Sequence, residues 1–559
     1  MLRILILQTT RMGDVLQTSP LVRRVRLEHP DAHIAILVRK MGKVVAQHHP
    51  DINEVIIYDE DDLYLHMKSK DSDRLLRAYE LADAFMARIK DGHYDIAYNV
   101  THSISSAMLV KLAGIPKVIG AHLSEDWQFI LRGPWTTYFY TSVFNREYND
   151  LNLCDILHNF AVQAPEHRQL VFELEASDRA FAAEFRREHG IADDDFVVCM
   201  QLGASESNKR WPAHRFAELA QLLREKHGAK ILLAGVQEEA PLGDEFEQSA
   251  PGLAIPLYGK TTIPQLAALL ERANVLVTND TGTMHIAAAV KCPVTLVSVG
   301  HVHYRETGPY GAGHCAIEWR RRSLGRSDHV PGALEERELV RPDQVYRAMQ
   351  MAIAAHAGDA FAQIAETPEL AEVDLYLSRF APDRHLQFYP VIRRPMVERD
   401  FLRVAYRAMW LDHLAPTQAK AHEKESLRAI LRCYDAPESS PVAAWAELHG
   451  KAFAQLADKA LGGTKTTEEL LDILKKHKGM DRAKQRVSEL MALDEDMRLF
   501  SELHPACRPL IQLARYERDN LEGADPLVLA QTTLEIYRSC YARARLMAQK
   551  IQRCAEVRD

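Results

Sequence analysis

The sequence predicts an α/β protein: two doubly wound parallel-sheet domains followed by an all-helical C-terminal region. Three observations carry this expectation. Short apolar runs separated by helix-period segments form one series within residues 1–170 and a second within 171–355, the pattern of parallel strands joined by crossover helices. From residue 356 to 559 the strand signal stops, and Ala, Leu, Arg, Glu and Lys recur at helical spacing. The chain of 559 residues also exceeds what one hydrophobic core supports, so domains at 1–170, 171–355 and 356–559 are expected.

The first series is RILILQ (3–8), HIAILV (33–38), EVIIYD (54–59), YDIAYNV (94–100) and KVIGAH (117–122). WTTYFYTSVF (135–144) has strand-like aromatic composition, a helix is expected near 150–163, and 164–195 reads as a linker plus a charged helix. The second series is FVVCMQLG (196–203), KILLAG (230–235), AIPLYG (254–259), NVLVTND (274–280) and PVTLVSV (293–299). Two such domains facing one another form a cleft at the carboxyl ends of their strands, where open α/β sheets bind ligands. In the tail, DAPESSP (435–441), LGGTKTT (461–467) and LEGADP (521–526) punctuate the helices. The last helix is the clearest. Asp525 can cap it, Pro526 suits its first position, and Leu534, Tyr537, Tyr541, Ala544, Met547 and Ile551 recur on one face.

Composition narrows the function classes. Apolar residues at 47% and charged residues at 26% describe a globular chain. A net charge of −8 argues against a bulk nucleic-acid binder, and the tail from 401 onward carries 25 Lys and Arg against 23 Asp and Glu, so it is no electrostatic arm. Oligomerisation, or docking on an acceptor or partner, is the expectation for the tail. Eight scattered cysteines form no CxxC pair, which points to a reducing compartment and away from a structural zinc site. The N-terminal apolar run ILIL is too short for a signal or membrane span, so a cytoplasmic location is expected, with contact limited to a membrane surface.

Three strand-to-helix junctions carry candidate chemistry. In QTTRMGDVLQTSPLVRRVR (8–26), Gly13 frees the backbone. Asp14 either caps the helix beginning at Val15 or serves as a general base at the strand tip, and Pro20 predicts a break soon after. In LGASESNKRWP (202–212), Gly203, Ala204 and Ser205 are small enough for backbone amides to approach a phosphate, and Lys209 supplies a point charge; a plain solvated loop fits the spacing equally well. In TNDTGTMHIAAAVKCPV (278–294), Asp280 and Thr281 can cap, Gly282 opens the backbone, and Thr283 begins a helix whose N-terminus suits a diphosphate. Asp280 suits sugar hydroxyls, and His285 reads as a packed or capping histidine as readily as a functional one.

These stretches, with GPYGAG (308–313), resemble in order and spacing the landmarks of glycosyltransferase family 9, the bacterial heptosyltransferases of lipopolysaccharide core assembly, over about residues 1–355. The resemblance implies a GT-B fold, an inverting mechanism, no catalytic metal or other cofactor, and a nucleotide-sugar donor, typically ADP-heptose. Carried onto this chain, Asp14 matches the general base and Lys209 the lysine that steadies the departing diphosphate. Ser205 and the amides around Thr281, Gly282 and Thr283 match the phosphate cradle, Asp280 the donor-sugar contact and His285 the motif histidine. An acidic residue after the next strand is matched by Glu238 or Glu239 in GVQEEAP, with the register open. Where relatives read GPTDP, this chain has SVGHVHYRE (298–306), a departure that bears on donor contacts.

The leading expectation is therefore transfer of a sugar, heptose foremost, to a lipopolysaccharide or surface-glycan hydroxyl at the cytoplasmic face of the inner membrane. A protein Ser or Thr is the alternative acceptor, with the helical tail recruiting the substrate or building a homo-oligomer. A nucleotide-sugar-binding scaffold without turnover is the third reading.

Overall fold

The computed structural model describes residues 1–161, 168–300, 302–320, 337–358, 363–435, 441–476 and 479–558. The first sheet contains β1 (Arg3–Gln8), β2 (His33–Arg39), β3 (Glu54–Tyr58), β4 (Ile96–Asn99), β5 (Lys117–Leu123) and β6 (Phe129–Arg132) in the order β3-β2-β1-β4-β5-β6. The pairs β1–β2, β2–β3 and β4–β5 are parallel, and β5–β6 is antiparallel. The second sheet contains β7 (Val197–Gln201), β8 (Lys230–Ala234), β9 (Ala254–Pro256), β10 (Val275–Thr278), β11 (Val294–Ser298), β12 (Cys315–Trp319), β13 (Val373–Phe380) and β14 (Leu386–Pro390). Its order is β14-β13-β12-β11-β10-β7-β8-β9. Strands β7 to β12 repeat the doubly wound order, which places a topological switch point beside β7 and β10.

The strands read as continuous Val, Ile and Leu runs because both sheet faces are covered. Ile4 to Leu7 and Val275 to Val277 are completely buried. The core of the second sheet is closed by Phe216, Phe246 and Trp211; the indole N–H of Trp211 donates to the Val340 carbonyl at 2.8 Å.

The described chain divides into two compact units, residues 1–85 with 151–394 and residues 86–150 with 395–559. The cuts fall elsewhere than at the expected 170 and 355. Strands β1–β3 and the whole second sheet belong to the first unit, and β4–β6 with the C-terminal helices belong to the second.

Several expectations are corrected. The run 135–144 is a helix, Pro134–Val143, not strand-like. Gly133 at φ +101° and Pro134 start it, and the hydroxyls of Thr136, Thr137 and Thr141 return to carbonyls four residues back, which lets β-favouring residues sit in a helix. The region after 356 is not all helical. Strands β13 and β14 extend the second sheet antiparallel from β12, so β12 is an inner strand. The first long helix after them is Glu398–Leu414, and helix is the dominant element from there on.

LGGTKTT does not break the tail either. One helix, Val442–Lys475, runs through it, because Gly463 lies under the ring of Tyr537 on the last helix, Pro526–Arg558. A Cβ at Gly463 would stand 2.5 Å from that ring, so glycine permits the close crossing. Thr464 and Thr467 bond back to the carbonyls of Ala460 and Gly463. The last helix has the expected start, with the Asp525 carboxylate accepting from the Leu527 amide at 2.8 Å; Leu534, Tyr537, Ala544, Met547 and Ile551 are buried and Tyr541 is half-buried. Part of the 164–195 linker and most of DAPESSP lie outside the described residues.

Candidate functional site

The candidate residues on the first unit gather at the carboxyl ends of β1, β7 and β10. After β1 the chain enters a six-residue helix, Met12–Gln17, one turn earlier than Val15 suggested. Asp14 is therefore its third residue and not its N-cap. The carboxylate still performs half of a capping box, accepting from the Arg11 amide at 3.1 Å. The helix stops at Thr18, and the next, Ser19–Glu28, takes Pro20 in its first turn, which is the expected break. Thr18 ties the turn together. Its hydroxyl donates to the Asp14 carbonyl at 2.8 Å and its Oγ1 accepts from the buried Gln8 side chain at 3.1 Å. Asp14 is half-buried, held at a strand tip by its backbone.

The helix after β10, Gly282–Ala289, packs against this first helix. The contact is close. A Cβ at Gly13 would lie 2.9 Å from His285 Cδ2 and 3.7 Å from Gly282 Cα, and a Cβ at Gly282 would lie 2.5 Å from the Met12 methyl. Gly13 lets the first helix approach the buried His285 ring, whereas the contact at Gly282 is with the flexible end of the Met12 side chain. His285 is buried at 5% exposure against Gly13, and among the described residues its Nδ1 has no hydrogen-bond partner. Burial holds its pKa below the ordinary histidine value, although the Asp280 and Asp14 carboxylates pull the other way. Burial thus disfavours the charged form of the ring.

Thr281 is the N-cap of the second helix and makes no side-chain cap bond, so neither it nor Asp280 consumes the first-turn amides as sequence reasoning allowed. The Thr281 hydroxyl lies 3.3 Å from that of Thr278. Asp280 faces Lys209, with Nζ to Oδ2 at 3.7 Å, and Lys209 also lies 3.6 Å from Glu206. The lysine sits on a single 3₁₀ turn, Ser207–Lys209, at the end of the loop after β7.

Residues not singled out from the sequence fix that loop. The buried Asn279 side chain donates to the Leu202 carbonyl at 2.8 Å and accepts from the Trp211 amide at 2.9 Å, clamping both ends of 202–211 onto β10. The Arg210 guanidinium donates to the Ala204 carbonyl and holds Ala204 and Ser205 in a tight turn, with Ser205 exposed. Gln201, the buried last residue of β7, donates to Glu239 Oε2 at 2.8 Å and accepts from the Thr283 hydroxyl at 3.1 Å. This chain of contacts distinguishes the two glutamates. Glu239 lies under Gly203, where a Cβ would be 1.6 Å from its Oε1, whereas Glu238 is exposed.

The variant segment 298–306 lies against the same loop. Gly300, at φ +69°, approaches the Asn208 carbonyl, and the Arg305 guanidinium lies 4.6 Å from both the Tyr304 and Tyr376 rings. His301 is outside the described residues. The missed residues had a faint signal, since Gln8 and Gln201 each end an otherwise apolar first strand of a sheet, where a buried polar side chain needs a partner.

The arrangement therefore sets a lysine and an uncapped helix N-terminus after two adjacent strands of the second sheet, and packs against that N-terminus the helix after β1 that carries a carboxylate. Such a set can accept a proton and bind an anion.

Comparison with known proteins places this geometry in context. The family described as glycosyltransferase family 9 (heptosyltransferase) matches residues 83–322. The chain is 23% identical over 301 residues to lipooligosaccharide heptosyltransferase 2 of Haemophilus influenzae, a match covering 52% of this chain and 82% of that relative. It is 24% identical over 299 residues to lipopolysaccharide heptosyltransferase 3 of Escherichia coli, covering 52% and 83%. Among solved structures, the glycosyl transferase family 9 protein of Veillonella parvula aligns with a TM-score of 0.50 at 22% identity, covering 63% of this chain and 97% of that one. The fold is α/β of the GT-B kind with a helical C-terminal region. Among the described residues, no helix is long and apolar enough to cross a membrane.

Proposed function

We propose that this chain is a family 9, heptosyltransferase-like glycosyltransferase, an inverting enzyme transferring heptose from ADP-heptose to a hydroxyl of lipopolysaccharide or a related surface glycan. The observation that carries the reading is the meeting of the Asp14 helix with the Gly282 helix at Gly13 and His285. That meeting supports reading Asp14 as a proton acceptor beside a diphosphate cradle.

In the proposed step, the acceptor hydroxyl oxygen attacks the anomeric carbon and its proton passes to Asp14. The bond from that carbon to the diphosphate oxygen breaks, and the electron pair leaves with ADP. The charge that develops there is met by Lys209, freed from Asp280 by the incoming phosphate, and by the amides of Thr281, Gly282 and Thr283. Asp280, then released, takes a sugar hydroxyl. Glu239 is the acidic residue assigned to the donor, supported through Gln201. No metal or cofactor is assigned a role. His285, packed against Gly13, is a positioning residue where the two helices meet.

A transfer assay with a panel of nucleotide sugars, on the wild type and on Asp14→Asn, tests this. ADP release and glycan labelling by the wild type, with kcat lowered by about 10²- to 10⁴-fold in Asp14→Asn and ADP affinity retained, is the expected result. Equal kcat in both proteins removes Asp14 as base. Turnover only with a protein Ser or Thr acceptor replaces the glycan with the alternative substrate, and donor binding with no turnover against any acceptor leaves a scaffold. The proposed place of action is the cytoplasmic face of the inner membrane, where such an acceptor is presented.

A further inference from the structure

We propose that Asp155 is a positioning residue: it fastens the chain segment that carries Asp14 to the β13–β14 hairpin, and so sets the spacing between that carboxylate and the second sheet. The inference rests on the reading of Asp14 as the base. It gives a role to a hairpin outside residues 83–322, which the family matches. Asp155 is completely buried on the short helix Leu153–His158. A carboxylate is costly there unless its oxygens are paired and hydrogen-bonded. Its Oδ1 accepts from the Arg168 guanidinium at 2.5 Å and from the Tyr310 hydroxyl at 2.7 Å, and its Oδ2 accepts from the Leu386 amide at 2.7 Å. Donors from three distant stretches of chain thus converge on one side chain.

One end of this network reaches Asp14. Val171, just after Arg168, donates its amide to the Ser19 hydroxyl at 2.9 Å, and Ser19 follows Thr18, whose hydroxyl holds the Asp14 carbonyl at 2.8 Å. The buried Arg24 guanidinium, on helix Ser19–Glu28, donates to the His158 carbonyl at 3.0 Å and to the Asn159 side chain at 3.2 Å, which ties that helix to Leu153–His158. The other end reaches the second sheet. Leu386 begins β14, and Tyr310 lies in the loop before β12. Ser378 of β13 grips the same loop: its hydroxyl donates to the Gly311 carbonyl at 2.7 Å and accepts from the His314 amide at 2.9 Å. The meeting at Gly13 and His285 fixes one point of the approach, and a second point limits the tilt that one leaves. Hydrogen bonds to a single carboxylate hold at a narrow range of distances, where apolar contact alone would allow sliding. Lys209 and the Thr281–Thr283 amides follow β7 and β10 within the second sheet, so ADP binding does not run through this joint.

Steady-state transfer, an ADP titration and a melting curve on the full chain test this. Asp155→Asn keeps the side-chain shape, turns one acceptor into a donor, and leaves the Arg168 cation without that carboxylate. Its kcat should fall about tenfold with ADP affinity within about twofold of the wild type, and its melting temperature should drop. Adding Arg168→Met removes the stranded cation and should recover much of the melting temperature, because replacing both members of a buried pair is tolerated where breaking it is not. In this double variant kcat should stay low, since the Leu386 amide still lacks its acceptor. A merely structural role would not give that split. Wild-type kcat in Asp155→Asn, ADP affinity falling in step with kcat, or kcat recovering with the melting temperature in the double variant each overturns the proposal. If Asp155→Asn does not fold, Tyr310→Phe decides by the same criterion: lowered kcat with ADP affinity retained supports the joint, and unchanged kcat overturns it. Asp14→Asn is run alongside. Wild-type kcat in Asp14→Asn removes the base on which the inference rests, whereas low kcat there with wild-type kcat in Asp155→Asn removes this inference alone.

Discussion

Gly13→Ala is the sharpest probe of the site, because its consequence follows from one contact. The added methyl would stand 2.9 Å from His285 Cδ2 and 3.5 Å from Nε2. Ordinary contact requires the ring to retreat by about half an ångström. The ring is buried and backed by the Gly282 helix, so the relief comes from separating the two helix N-termini. Overpacking of this kind costs about 1–3 kcal/mol of stability. The same shift moves Asp14 away from the Thr281–Thr283 amides, and because misplacement of about 1 Å can cost about 10²-fold in rate, half of that predicts roughly a tenfold fall in kcat. ADP affinity should change little, since Lys209 and the amides are untouched. The assay is steady-state transfer beside a melting curve and an ADP titration. Adding His285→Ala removes the obstruction, so the double variant should recover kcat relative to Gly13→Ala alone, a coupling read as a double-mutant cycle. If Gly13→Ala lowers the melting temperature while kcat stays at the wild-type value, the helix meeting is structural and the assignment of Asp14 beside the cradle is refuted.

Gly203→Ala should drive Glu239 off Gln201 and weaken ADP by about tenfold in calorimetry, with Glu239→Ala in the same chain relieving the clash. Gly463→Ala should lower stability by about 1–3 kcal/mol in denaturant unfolding by forcing the Tyr537 ring away, whereas Gly462→Ala, with open space at its Cβ, should leave it unchanged or raise it. Burial holds His285 below the ordinary histidine value and pushes His314 down to about 3. Below about pH 6.5 the unfolded chain therefore binds more protons than the folded one. Stability should be level above that pH and fall beneath it, by up to about 1.4 kcal/mol per pH unit for each such histidine, and urea midpoints that do not move between about pH 7.5 and about pH 5 would contradict this.

The parallel strands were legible because buried strands in doubly wound sheets are continuous apolar runs, and β1 and β7 announce their ends by a switch to Gly and polar residues. What was hidden depends on partners distant in sequence. Thr and aromatic residues at 135–144 have local preferences for strand, which the Gly133–Pro134 start and the hydroxyl returns override. Gly462 and Gly463 signal a break by propensity, yet the ring of Tyr537, 74 residues later, makes the second glycine a packing requirement inside a continuous helix. Strand β13 carries an alternating VDLYLSRF, but its neighbour β14 follows through a short polar turn in a region dominated by helix formers, so its pairing with β12 was not visible.

The site divides the same way. Asp14, Lys209, Asp280 and Gly282 stand out because small and charged residues interrupt an apolar strand end. The choice of Glu239 over Glu238 needed the tertiary contact beneath Gly203, and the role of His285 needed the face of Gly13. A sequence motif thus records which groups were kept at the strand ends. The glycines record which of those groups are brought within touching distance, and that is why Gly13→Ala, more than any charge removal, separates a catalytic arrangement from a merely inherited one.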